Sequence, residues 1–370
     1  MTWARAIPAA WVVDGAVPGP DVDEFGEPAE IAAALARTPS PSLLAVQHPH
    51  RTPQALAGGL SLAEALPGAR RTLEHLLATA YTGVHDVVAV YEVAGRTIGV
   101  LCLIDPGAVD DQVRHSEQVY PGIVAERAAA LTWLGHATSA AMLVPLGDDG
   151  SLTAEAQRAV AGQEPVVVAG EHRLWLVGAG PAQQDLLAAV QRRPLLVADG
   201  NHRVAASAAA GTALLALVTA GPHLHLGAIH RALAGTGLTA AGLAAAWRRA
   251  GLVVREVPGA APPSVPGTVT VPPGLVVELP APAPPLPRID HGFVEDVLIA
   301  GALGLDPEGP HVRVVPEGHD PGPDVDAVLQ LAPVPFADVL AVHDQGRRMP
   351  RKATYFTPKP RSGLLIAKLG

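Results

Sequence analysis

The chain is short of cysteine, lysine, aromatic residues and long apolar runs, and each shortage excludes something. A single cysteine, Cys102, rules out a disulfide framework and a four-thiolate zinc site. Only three lysines occur, Lys352, Lys359 and Lys368, against 23 arginines, and the formal net charge is −9. That balance argues against broad, sequence-independent nucleic-acid binding. The longest apolar stretch, residues 204–220, is interrupted by Ser207, Gly211 and Thr212 and is too short to cross a bilayer. Residues 1–13 lack a basic region followed by a long apolar core, so no leader is expected. A cytoplasmic protein with no membrane partner is the expectation. No Gly-x-x-x-x-Gly-Lys loop and no Gly-x-Gly-x-x-Gly after a strand is found, so ordinary P-loop and dinucleotide folds lack support.

What is present is a long chain of 370 residues, 49% hydrophobic, with 38 glycines and 37 prolines making up about a fifth of it. Two or three structural units are expected at this length. Apolar spacing predicts helices over 30–37, 60–80 (with a break at Pro67), 124–141, 181–191, 204–210, 238–251, 293–304 and 335–341. Strands are predicted at 43–47, 142–146, 172–178, 194–198, 213–219, 311–315 and 327–331. Residues 84–93 and 96–104 read as a hairpin joined by Ala94-Gly95, with Cys102 packed in its second arm. Residues 258–287 hold 11 prolines, which leaves room only for two short edge strands at 267–271 and 274–279. The alternation gives a mixed α/β fold. Three segments are expected: an arm at 1–40, a core at 41–235, and a C-terminal unit at 236–370 ending in a basic tail. That tail, 347–361, has six bases and no acid.

The most chemical segment is Asp199-Gly200-Asn201-His202-Arg203, at the end of a buried strand and the start of a helix. Helix N-termini present unpaired N–H groups and the positive end of the dipole, which favours anions. Two readings stand side by side: an anion loop in which Asp199 holds a metal or a hydroxyl, and a plain turn with a capping acid and a solvent-facing arginine. His48-Pro49-His50 and His223-Leu224-His225 have an alternation used by some zinc sites, without a third ligand, so structural or surface roles are favoured.

These residues also carry a resemblance. The loop Asp199–Arg203, the segment Met349-Pro350-Arg351-Lys352-Ala353-Thr354-Tyr355-Phe356-Thr357-Pro358-Lys359 with Gly363-Leu364, the run Arg114-His115-Ser116-Glu117 leading to Glu126-Arg127, and the pair His230-Arg231 together resemble the family filed as domain of unknown function 1015, in its actinobacterial form. Ser116 and Asn201 stand where that family has histidines, and Ile123 where a lysine is common. The family's loop is similar to that of the ParB/sulfiredoxin superfamily, which includes free-serine kinases, sulfiredoxin and chromosome-segregation CTPases. Sulfiredoxin chemistry needs a cysteine where Asn201 stands, so it is not supported.

The resemblance implies a ParB-like core and a nucleotide-dependent kinase acting on a small hydroxylated metabolite such as a free amino acid. It implies a nucleoside di- or triphosphate (ATP, ADP or CTP) and Mg²⁺, the metal held by Asp199. The expected catalytic residues are Glu117 as base, Asp199 and His202. The expected phosphate-binding residues are Gly200, Asn201, Arg203, Arg127, Arg231, Lys352 and Lys359. A nucleotide-binding regulatory or scaffold protein without turnover is the alternative, and metal-dependent hydrolysis of a phosphorylated compound comes third.

Overall fold

The computed structural model describes residues 2–22, 28–38, 41–95, 97–147, 150–220, 224–282, 287–322 and 324–369. The fold is mixed α/β, and the chain forms two compact units. Unit 1 comprises Met1–His115, Val119–Leu224 and Pro358–Gly370; unit 2 comprises Ser116–Gln118 and His225–Thr357.

Unit 1 is built on one large sheet, with twelve strands among the described residues. Its main path runs Val113–Arg114, Leu195–Asp199, Ala141–Pro145, Leu214–Thr219, Thr97–Ile104, Tyr81–Val93, Ile7–Val13, Leu365–Lys368, His136–Ala137. Both faces are covered. Leu101, Leu103, Leu215 and Leu217 bury one face with Leu43, Leu73 and Leu76. Val100, Cys102, Ile104, Leu214, Ala216 and Val218 bury the other with Leu152, Leu186 and Val204. This is the period-two alternation of a strand with helices above and below, and it explains why these strands read as unbroken apolar runs. Burial pushes the Cys102 thiol up to about 12, so it is inert packing material.

Several local expectations change. Residues 43–47 are a helix, Leu43–Gln47, whose N-cap Ser42 accepts a hydrogen bond from Ala45 N–H at 3.3 Å. A five-residue apolar run has no period that separates strand from buried helix, and the cap decides. The helix Leu62–Thr79 passes through Pro67 unbroken, because a Ser61/Glu64 capping box fixes its start and Leu66, Ala69, Leu73 and Leu76 are buried along it. The helix predicted to reach Ala141 is Pro121–Leu134, ended by Gly135 in the left-handed region at φ 64°. The hairpin forms, but Val93 pairs with Thr97, so its link has three residues rather than two; Arg96 lies outside the described residues.

Unit 2 has a sheet of Val312–Pro316, Ile229–Ala234 and Val325–Leu329 and a second of Val253–Glu256, Leu275–Glu278 and Thr268–Val271. Leu275–Glu278 is the central strand rather than an edge, which its proline-free sequence permits once Pro272 and Pro273 fall in the preceding turn. Helix Ala240–Arg249 and the turns Asp290–Gly301, π-type from Val294, close on a core around fully buried Trp247, whose indole N–H donates to Leu298 O at 3.1 Å. Among the described residues, no helix is long and apolar enough to cross a membrane.

Candidate functional site: the Asp199–Arg203 loop

Strand Leu195–Asp199 loses register with Ala141–Pro145 between Val197 and Asp199, and this irregularity ends the ladder at the acidic residue. Gly200 follows at φ 91°, and helix Asn201–Ala210 starts at once. Only glycine suits this position. A Cβ would lie 2.7 Å from Arg203 Nε and 3.2 Å from Ala141 Cβ, in a backbone region that side chains avoid. The first helical bond is Val204 N–H to Gly200 O at 3.0 Å, so the amides of Asn201–Arg203 are not part of the helical ladder.

The side chains of this turn are organised around one carboxylate. Arg203 Nη2 bonds Asp199 Oδ2, and Arg203 Nη1 donates to Ala140 O at 2.7 Å. Lys359 Nζ sits 2.9 Å from Asp199 Oδ1. The three side chains are 17%, 19% and 27% exposed for Arg203, Asp199 and Lys359, so the cluster is sheltered yet reachable. Asp199 is thus contacted by two cations at the start of a helix.

His202 and Asn201 point to different neighbours. Tyr120 N–H donates to His202 Nε2 at 3.0 Å, and the two rings stack at 5.7 Å and 9°. That bond assigns the neutral tautomer with the proton on Nδ1. Asn201 is buried, and its Oδ1 meets Nδ1 of buried His115 at 3.1 Å, so its amide is tied to the protein interior. A small recess lined by Tyr91, Thr138, Ser139, Ala140, Pro360 and Arg361 lies in the same unit, with room for about one water.

In unit 2, Glu117 is buried and its carboxylate is an acceptor for one chain segment: Oε2 from Lys352 N–H (3.2 Å), Oε1 from Ala353 N–H (3.1 Å), Thr354 N–H (3.0 Å) and the Thr354 hydroxyl (2.7 Å). Lys352 itself stands at φ 52°, which turns successive N–H groups toward one point, an arrangement that suits an anion. Arg231 approaches the same segment through its carbonyls, Lys352 O at 3.2 Å and Arg351 O at 3.4 Å, and pairs with Glu295 at 2.6 Å. Its side chain is 1% exposed, with its guanidinium surrounded by Glu295 and chain carbonyls. The Lys352 side chain is exposed. Arg127 lies exposed on helix Pro121–Leu134, where its charge, after burial, helps hold His48 down to about 4. His230 accepts from Leu331 N–H at 3.1 Å and is lowered by burial. Of the two alternating histidine pairs, His48 and His50 sit with ring centroids 6.5 Å apart, and His223 lies outside the described residues.

Sequence reasoning missed Tyr120 and the Ala140 carbonyl. Tyr120 carried a weak signal, standing just before Pro121 at a helix start; a carbonyl acceptor carries none. As a metal ligand Asp199 fits poorly. Both its oxygens already face cations, which repel a dication, and among the described residues no group of three His, Cys, Asp or Glu side chains could hold a metal ion.

The chain is thus an α/β protein whose turn between strand Leu195–Asp199 and helix Asn201–Ala210 brings Asp199, Arg203 and Lys359 together. The chain belongs to the family of proteins of unknown function DUF1015, whose model matches residues 29–250. No curated protein matches the chain. Among solved structures it is similar to a free serine kinase in complex with AMP, at 13% identity and a TM-score of 0.40, over 71% of this chain and 92% of that one. It is similar at the same identity and TM-score to a conserved hypothetical protein from Pyrococcus furiosus, over 71% and 95%. C-terminally truncated SbnI from Staphylococcus aureus gives 13% and 0.40 over 72% and 87%. At that TM-score these likenesses carry no further argument.

Proposed function

We propose that the chain is a nucleotide-dependent phosphotransferase of ParB/sulfiredoxin type, acting on a small hydroxylated metabolite such as a free amino acid. The observation that carries this reading is the meeting of two distant motifs at one carboxylate: Asp199–Arg203 and Lys359 of the closing segment. Phosphoryl transfer demands little covalent chemistry from a protein and much charge neutralisation. Arg203, Lys359 and the amides that open helix Asn201–Ala210 supply it, and Asp199 holds both cations in place. In the reaction the acceptor oxygen bonds the terminal phosphorus, the phosphoanhydride P–O bond breaks, and the shortened nucleotide leaves. The hydroxyl proton passes to a base, for which Glu117 is the proposed residue.

One observation favours the second reading, nucleotide binding without turnover. Position 201 is Asn, with its side-chain oxygen on buried His115, so His202 is the single imidazole within Asp199–Arg203. Incubating the protein with ATP or ADP and pooled hydroxy amino acids, and following phosphoester by phosphorus NMR, separates the two. New phosphoester supports the kinase; a nucleotide-raised Tm without product supports the binding protein. No Tm rise with any nucleotide contradicts both.

A further inference from the structure

Resting on the reading of Asp199–Arg203 as a phosphate site, we infer that the loop grips nucleotide phosphates without a divalent metal, Lys359 supplying from within the protein the charge that a metal would bring. The ammonium lies 2.9 Å from Asp199 Oδ1 while Arg203 takes Oδ2, so the one carboxylate at this turn has a cation on each oxygen. A dication entering there must displace an ammonium and approach a guanidinium, whereas a phosphate meets two cations and a helix N-terminus.

Lys359 is delivered by a fixed segment. Arg361 N–H donates to the Tyr91 hydroxyl at 3.0 Å, and that hydroxyl bonds His172 Nδ1 at 2.7 Å. The Arg361 guanidinium reaches Asp21 at 3.3 Å and Gly19 O at 3.4 Å. Further on, the Tyr81 hydroxyl donates to Gly363 O at 2.9 Å, and strand Leu365–Lys368 pairs with Ile7–Val13. The chain is therefore anchored immediately after Lys359, as a built-in cation requires. The choice of lysine also suits the role: a compact ammonium with three donors can bridge a carboxylate and a phosphate oxygen, in a chain that otherwise uses arginine almost throughout.

The test is calorimetric titration of ADP and of ATP into the full chain, once in EDTA and once in excess Mg²⁺. The expected result is binding in EDTA within about threefold of that in Mg²⁺. In K359M, binding in EDTA weakens by about tenfold or more, the loss of one charged hydrogen bond, and Mg²⁺ restores part of it because Asp199 is then left with one cation. K359R keeps binding in EDTA. Wild-type binding that appears only with Mg²⁺ overturns this inference and leaves the phosphate-site reading standing. Unchanged EDTA binding in folded K359M also overturns it. No binding in either buffer overturns the phosphate-site reading and this inference with it.

Discussion

Two arginine–carboxylate clusters, one in each unit, share a chemistry and differ in burial. At the unit 1 turn, Asp199 is shared by Arg203 and Lys359, and all three remain partly exposed. In unit 2, Arg231 is sealed in against Glu295 and the Arg351 and Lys352 carbonyls, while Glu117 takes the amides of the same segment. A motif arginine can meet a ligand only where burial leaves it reachable, as it leaves Arg203 more than Arg231.

The largest expected effect breaks the unit 2 cluster. R231M leaves Glu295 without its cation and three carbonyls, those of His230, Arg351 and Lys352, without their donor, and should cost about 3 kcal/mol of stability in urea unfolding. A loss below about 1 kcal/mol would mean the pair is not the brace described. E117Q comes next. It presents an amide NH₂ to groups that are themselves donors, and should cost about 2 kcal/mol. The same variant tests the proposed base: a kinase retains its nucleotide-induced Tm rise and loses turnover, and normal turnover removes Glu117 from the chemistry.

In unit 1 the smaller change G200A should cost about 1 kcal/mol through its positive φ and push Arg203 off Asp199, weakening ADP binding more than stability. Smallest at neutral pH is the histidine effect. Burial holds His291 down to about 3, with Arg231 adding to it, and burial holds His48 down to about 4. The unfolded chain takes up these protons near pH 6.5 and the folded chain does not. Stability is therefore full above about 6.5 and falls as pH drops toward 4. H291Q should flatten the Tm–pH slope between 7 and 5, and an unchanged slope would contradict the assignment.

Much of this was legible where a residue type forces a local choice. Ala94 and Gly95 take the positive φ values of a hairpin turn, and the strand–glycine–helix order at Leu195–Ala210 follows from a run of apolar residues ending in Asp-Gly. Helix Leu43–Gln47 is illegible from period alone, whereas Gly135 is a local stop signal that the apolar spacing running on to Ala141 masks. The site was half legible. Asp199, His202 and Arg203 stand together in sequence, whereas the arrival of Lys359 and the locking of Asn201 by His115 depend on long-range pairing. Arg231 carried the same local signal as Arg203, and only burial distinguishes them.

The most direct measurement is a calorimetric titration of ADP into wild type and R203M, with folding of both checked by circular dichroism. The account predicts saturable binding to wild type that weakens at least about tenfold in R203M. Equal affinity in the two proteins would contradict it.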